Sequence, residues 1–349
     1  MLNQITLSNF RNWSSLHLDL TERSILIGPN GAGKTNILEA IYLLAVTRSW
    51  RAKSDRDLVG WQADVCRIVG SNPAIEMAIQ REPYLKRIKI DGLEKKATEA
   101  IGHLVIVLFE PRSVDLVTGA PSIRRRFLDV LLAQVNQNYA KSLVELQLVL
   151  RQRNHLLRRI AAGQSQASEV KFWNQELVRN AEIIWQARRD FFVVAEDLFP
   201  SVYQELTGQN IAKLKYEPSI PAEHSYEERL EEHWNQDVDS GSTSIGPHRD
   251  DFDFILHGFD ASGVASQGEA RSLVLSLKKA EIKYLSSNMG KDPILLLDDI
   301  FSELDASRRA RIESIIDNHQ AIITTTDLEH LDPHLRESFN IVEIEKLKE

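Results

Sequence analysis

A single cysteine, Cys66, stands in a chain of 349 residues. Disulfides need pairs, so no disulfide framework holds this chain, and the thiol count suits a reducing cytoplasm. Apolar runs are short, well below the ~20 residues that cross a bilayer. The opening MLNQITLSNFRNW has no cationic stretch leading into an apolar one, so no signal peptide is read. Positive charge is also scarce. Forty-two Lys and Arg stand against 50 Asp and Glu, a net charge of −8. That excludes a uniformly basic coat for nucleic acid but leaves room for a local basic face. With 43% hydrophobic and 26% charged residues, the composition is that of a globular protein of one or two domains.

Proline and glycine are almost missing between 122 and 208, and there the apolar period becomes helical. Leu143, Leu146, Leu150, Leu157 and Ile160 share one seam, with Arg153 filling the missing position. A second seam runs Val170, Trp173, Leu177, Ile184, Ala187, Phe191, Val194, Leu198, with Asn180 as its polar member. Two such helices joined by AAGQSQAS predict an antiparallel hairpin with arms of about 50–60 Å. On either side the sequence reads as α/β. NQITLSNF and SLHLDL alternate as strands, Asp91-Gly92 marks a hairpin turn, and HLVIVLF and PILLLDD read as buried strands. The expected organisation is one discontinuous α/β lobe, 1–110 and 240–349, carrying a helical lobe at 111–239.

Between the strand SILI and an expected amphipathic helix lies GPNGAGKT, a full match to GxxxxGK[ST]. Glycines at 28, 31 and 33 let backbone N–H groups converge on an anion, and the new helix N-terminus adds positive potential. Lys34 is placed to reach the outer phosphates and Thr35 to ligate Mg²⁺. The expected phosphate cradle is therefore Gly28, Pro29, Asn30, Gly31, Ala32, Gly33, Lys34 and Thr35, with Asn36 following. The pattern points to a nucleoside triphosphate. Far along the chain, PILLLDD delivers Asp298 and Asp299 at the carboxyl end of a strand, where sheets of this kind place ligands. One carboxylate there can hold Mg²⁺ and the next can position the attacking water. Asp305 reads either as the cap of the next helix or as part of a subunit contact.

Ser266 and Glu269 have capping-box spacing. Ser266, Gln267 and Gly268 also form a second helix N-terminus able to meet an anion. One nucleotide cannot use both ends of the same chain, so the pair implies a nucleotide sandwiched between two protomers.

The order GPNGAGKT, SQGE, LLLDD, SELD resembles the ABC-type ATPases, and within them the SMC-like group. LSNFRNW, LFEPRSVDLVTGAPSIRRRFLD, GPHRDD and ASQGEARS narrow the resemblance to the RecF family of bacterial recombination and DNA-repair ATPases. It implies an α/β, ABC-type P-loop ATPase lobe with an inserted helical lobe containing a short antiparallel helical hairpin. It further implies ATP and Mg²⁺ as cofactors, with weak DNA-dependent hydrolysis serving as a timer. The partners implied are a second copy of the chain, joined through ATP, DNA at single-stranded gaps or junctions, and RecR- and RecO-type mediators that load a recombinase. The setting implied is cytoplasmic and nucleoid-associated, with no membrane. Carried onto this chain, Asp299, Lys34 and Asp298 form the catalytic set and Thr35 and Asp298 the metal set. Ser266 becomes the contact to the partner's nucleotide. Arg11 in NFRN matches a position that approaches phosphates in SMC-like relatives, and reads equally as a solvated strand-end arginine.

Two positions depart from the wider ABC pattern. Glu110-Pro111-Arg112 stands where a glutamine usually links Mg²⁺ to the helical lobe, and Thr326-Asp327 where many relatives carry a histidine. The second departure suggests slow turnover. Arg124-Arg125-Arg126, Arg151/Arg153, Arg158/Arg159 and Arg48/Arg51/Lys53 are candidate DNA contacts or ordinary solvated faces. A transporter ATPase subunit and a metabolic P-loop kinase are the competing readings. The seamed hairpin argues against the first, and the second anion-binding helix end against the second.

Overall fold

The computed structural model describes residues 1–303, 306–331 and 333–347, so Asp305 lies outside the described residues. The chain divides into two compact units, Met1–Ser113 with Glu281–Glu349, and Val114–Ala280.

The first unit contains two sheets. Gln4–Phe10, Trp13–Asp19, Val65–Ser71, Ile75–Gln80, Leu85–Ile90 and Leu93–Lys95 form a six-stranded antiparallel sheet. The turn after Ile90 places Asp91 and Gly92 at φ 50° and 80°, the conformation an Asp-Gly hairpin needs. The second sheet is parallel and five-stranded, in the order Asn340–Glu343, Arg23–Ile27, Ala321–Thr325, Ile294–Asp298, Ile106–Phe109. The helix Lys34–Val46 packs on strands of both sheets. It is consequently buried on all sides rather than along one stripe, which corrects the amphipathic expectation. Ile106–Phe109 is buried throughout, although it forms an edge of its sheet.

In the second unit, Gln137–Ala161 and Lys171–Thr207 form the antiparallel hairpin. At ~1.5 Å per residue the arms are about 37 and 55 Å long, so the first is shorter than expected. Asn136 is the reason. Its φ of −131° breaks the helical run, and its side chain caps the new helix by accepting from the N–H groups of Asn138 and Tyr139. Of the expected seam on this helix, Leu146, Arg153 and Leu157 are buried and Leu143, Leu150 and Ile160 partly so, while Ser142, Val149 and Leu156 widen the buried face. On the long helix the seam holds to Phe191, then passes to Ala195 and Phe199, leaving Val194 exposed. From there the helix packs on the strand Ala212–Glu217 instead of on the first arm.

That strand pairs antiparallel with Asp251–Leu256, which pairs with Phe259–Asp260. The pairing holds residues 240–280 in the second unit, so the compact units divide at 113 and 280 rather than at 110 and 240. The motif GPHRDD is the knot of this unit. Fully buried Asp250 accepts from Trp185 Nε1 (2.9 Å), Arg188 Nη1 (2.7 Å), Tyr216 Oη (2.6 Å) and the Ser219 N–H (2.8 Å). Four donors on one carboxylate replace the water it loses.

Candidate functional site

The parallel strand Arg23–Ile27 runs into the glycine-rich loop, and the helix Lys34–Val46 leaves it. Gly31 and Gly33 have φ of 81° and 107°, which L side chains rarely adopt. At Gly33 the space is closed as well, since a Cβ there would lie 2.7 Å from Trp13 Nε1. The neighbours that crowd it also brace the loop. Trp13 Nε1 donates to the Gly33 carbonyl at 3.2 Å, and Asn12 Nδ2 reaches the Gly31 and Ala32 carbonyls at 3.4 Å each. Asn36 Nδ2 donates to Asn12 Oδ1 at 2.7 Å. The NFRNW turn is therefore a clamp on the phosphate loop.

Lys34 is buried, and its Nζ donates to the Gly28 and Pro29 carbonyls at 2.6 and 3.0 Å. Burial lowers its pKa, and the charges of Asp299 and Asp298 oppose that shift. An ammonium held by two carbonyls at the mouth of a loop is placed for an incoming anion.

Register brings the distant carboxylates here. Asp298 pairs with Thr324 across parallel strands, and Thr324 Oγ1 donates to Asp298 Oδ1 at 2.8 Å. Thr35 Oγ1 donates to the same oxygen at 2.7 Å. The next residue turns away. Asp299 has φ 49°, and its N–H meets the Thr324 carbonyl (3.2 Å) and hydroxyl (3.1 Å). A hydroxyl and a carboxylate oxygen held side by side are hard oxygen donors of the kind that would suit Mg²⁺. Among the described residues no three His, Cys, Asp or Glu gather into another metal cluster.

Arg11 sits elsewhere. Its Nε and Nη2 donate to the two oxygens of Glu39 at 2.9 and 2.8 Å, and Nη1 to the Asp57 carbonyl at 3.1 Å. It is therefore not a solvated strand end. Glu39 is fully buried and also accepts from Ser49 Oγ at 2.5 Å. Sequence reasoning missed Glu39, yet it is the one acidic residue in the run ILEAIYLLAV.

Ser266, Gln267 and Gly268 lie in the second unit, the loop and both aspartates in the first. Ser266 and Glu269 form the expected capping box. Ser266 N–H and Oγ donate to Glu269 Oε2 at 2.8 and 2.7 Å, and the Glu269 N–H returns to Ser266 Oγ at 3.3 Å. These bonds hold the Glu269 carboxyl below its usual pKa. Ser266 and Gln267 remain exposed at the head of the helix Gln267–Met289.

Other candidates resolve into structure. Arg124 is buried and bidentate on Asp251, at 2.7 and 2.6 Å, and Arg153 is fully buried on Asp237 at 2.7 Å. Neither is available to DNA. Arg125 donates to the Asp250 carbonyl at 2.8 Å, and Arg51 to Asn36 Oδ1 at 3.2 Å. Of the departures from the ABC pattern, Asp327 caps a short turn by accepting from the Glu329 N–H at 2.8 Å.

A glycine loop between a parallel strand and a doubly covered helix, with a threonine–aspartate pair facing it, defines the P-loop ATPase class. The chain belongs to the RecF/RecN/SMC N-terminal domain family, whose pattern matches residues 1–346. It is similar to the DNA replication and repair protein RecF of Moorella thermoacetica, 35% identical over 354 residues that cover 100% of this chain and 96% of the relative. It is equally similar to the RecF of Staphylococcus aureus, 35% identical over 363 residues and 98% of each chain. A solved structure of the recombination mediator RecF with ATP, from the RecFOR pathway, superposes with a TM-score of 0.86 at 28% identity, covering 93% of this chain and 92% of that one. The Smc head domain of Pyrococcus furiosus shares the fold, with a TM-score of 0.53 at 16% identity and coverage of 95% and 92%. Among the described residues no helix is long and apolar enough to cross a membrane.

Proposed function

We propose that this chain is an ATP-gated DNA-binding protein of recombinational repair, and that two copies close on ATP. The observation that carries the reading is the convergence of Lys34, Thr35, Asp298 and Asp299 on one loop, in a chain whose relatives along its whole length are RecF proteins. The backbone of 28–35 and Lys34 hold the phosphates, with Asn36 behind them. Thr35 and Asp298 hold Mg²⁺, which supplies charge neutralisation on the phosphate oxygens. Asp299 positions the attacking water. Ser266, Gln267 and Gly268 meet the nucleotide held by the partner, with the capping box keeping the helix N-terminus preformed.

Arg11 enters this mechanism as a brace of the helix behind the loop, through its pair with Glu39. Hydrolysis is slow and times release from DNA at single-stranded gaps or junctions, where RecR- and RecO-type partners act with the chain to load the recombinase. The helical lobe is an insertion in the ATPase lobe.

Sedimentation with and without ATP, on wild type and Ser266→Arg, tests this reading. Wild type doubles its mass with ATP and binds gapped DNA more tightly. Ser266→Arg binds ATP but stays monomeric. A variant that dimerises normally shows that Ser266 is a helix cap only, and the trans-site mechanism goes with it.

A further inference from the structure

One face of the helix Gln137–Ala161 lies over a concavity of about 590 Å³ lined by Arg151, Gln152, Asn154, His155 and Arg158. Its lining includes no carboxylate. Arg151, Asn154, His155 and Arg158 follow i, i+3, i+4, i+7 spacing, so they form one stripe. Arg151 and His155 are exposed, and among the described residues neither makes a hydrogen bond or ion pair.

The stripe is held from beneath. Arg153, fully buried, donates through Nη1 to Asp237 Oδ2 (2.7 Å) and to Thr243 Oγ1 (2.8 Å). Thr243 then donates its N–H and hydroxyl to Asn154 Oδ1 at 2.8 and 2.7 Å. Because a backbone N–H can only donate, the Asn154 atom facing Thr243 is the oxygen, and its amide NH₂ takes the other side. Arg158 donates to the Gly241 carbonyl at 3.1 Å, with its stem against Gly241. A Cβ at Gly241 would lie 2.5 Å from Arg158 Cγ, so glycine makes room for this arginine. Cationic and amide side chains with no carboxylate among the lining residues suit an extended polyanion.

We propose that this stripe is a phosphodiester-backbone site, at which Arg151 and Arg158 neutralise separate phosphates of one DNA strand. The inference rests on the DNA-binding reading above. Residues 151 and 158 are about 10 Å apart along the helix, the axial advance of about three nucleotides in one strand.

The test is DNA binding by fluorescence anisotropy on a labelled 30-base-pair duplex across a salt series, for wild type, Arg151→Gln and Arg151→Gln/Arg158→Gln. Because Arg158 also holds Gly241, the single variant keeps the test independent of folding. Each lost phosphate contact should reduce the slope of log K against log salt by about 1. Affinity should fall with it, while ATP binding and ATP-driven mass change stay at wild-type values. Wild-type slope and affinity in both variants, alongside a wild type that binds, overturn this site alone. A wild type that does not bind DNA overturns the functional reading and the site together. Inorganic pyrophosphate that binds wild type and not Arg151→Gln, with the DNA slope unmoved, overturns the DNA assignment in favour of a free phosphate ligand.

Discussion

Arg11 and Glu39 form a two-pronged ion pair, Nε to Oε2 at 2.9 Å and Nη2 to Oε1 at 2.8 Å, between the NFRNW turn and the helix behind the phosphate loop. Glu39 has no exposed surface and Arg11 little, with side-chain exposures of 0% and 22%. Breaking such a pair from one side leaves a buried charge without its counterion, at a cost of about 3 kcal/mol.

Arg11→Ala is therefore expected to lower the urea-unfolding free energy by about that amount, with Ser49 and the more distant Arg51 partly compensating. Arg11→Lys should recover only part of the loss, because an ammonium cannot reproduce the fork. If the role of Arg11 were instead to contact phosphate, Arg11→Ala would keep its stability and lose nucleotide affinity. Unfolding and nucleotide titrations on the same preparation separate the two.

Lys34→Ala tests the loop itself. The ammonium now bonded to the Gly28 and Pro29 carbonyls is the positive charge expected to meet the outer phosphates. A charge-assisted bond of about 1.5–3 kcal/mol corresponds to a loss of about 10- to 100-fold in ATP affinity. The fold should survive, since the glycines at 31 and 33 and the Asn12–Trp13 clamp do not involve Lys34. Unchanged affinity in the folded variant would remove Lys34 from the site.

The loop and the tandem aspartates were legible in the sequence because their chemistry is local. Gly31, Gly33 and Lys34 act within one turn, and the apolar run before Asp298 announces its strand. The clamp was not legible, because Asn12 and Trp13 act on the loop across two strands and a helix start. Nor was the buried ion pair of the hairpin: Arg153 occupies the seam, but its partner Asp237 lies 84 residues away in a segment without periodicity. The structural role of GPHRDD was hidden for the same reason. Asp250 gathers donors from Trp185, Arg188, Tyr216 and Ser219, spread over 65 residues at most.

His248, in that motif, gives the second unit a pH dependence of definite sign. Burial pushes its pKa down to about 4, the Arg249 and Arg125 charges push the same way, and the Thr243 carbonyl and Asp250 oppose them. The folded imidazole therefore stays neutral while the unfolded one takes a proton near 6.5. Stability is intact above pH 6.5, falls as pH drops toward 4, and is flat below. Each tenfold difference in proton affinity between the two states is worth about 1.36 kcal/mol, so the full loss is about 3 kcal/mol. His248→Gln keeps a donor for the Thr243 carbonyl, now 3.1 Å from Nε2, and has no titration. Urea midpoints at pH 7 and 4.5 should move apart in wild type and draw closer in the variant. Equal separations in both would assign the acid sensitivity to other groups.

Asp299 is the residue on which turnover depends in the proposed mechanism, and its backbone dictates how to test it. With φ 49° it lies in the left-handed region, which Asn and Asp enter more readily than other non-glycine residues. Asp299→Ala would mix chemistry with backbone strain, whereas Asp299→Asn keeps shape and conformation and removes the charge. The bonds from the Asp299 N–H to Thr324 do not involve the side chain, so the turn is retained. Lys34 loses the stronger of its two stabilising carboxylate charges, and its pKa should fall further. The Thr35–Asp298 pair that would hold Mg²⁺ is untouched. ATP should therefore bind within a few-fold of wild type. Loss of a group that acts in the transition state lowers the rate instead, by about 10²–10⁴-fold for general-base chemistry. Single-turnover hydrolysis and nucleotide binding, measured side by side with sedimentation, read all three quantities. The ATP-bound dimer should persist in Asp299→Asn after wild type has returned to monomer. Hydrolysis at the wild-type rate would move the catalytic role to another carboxylate.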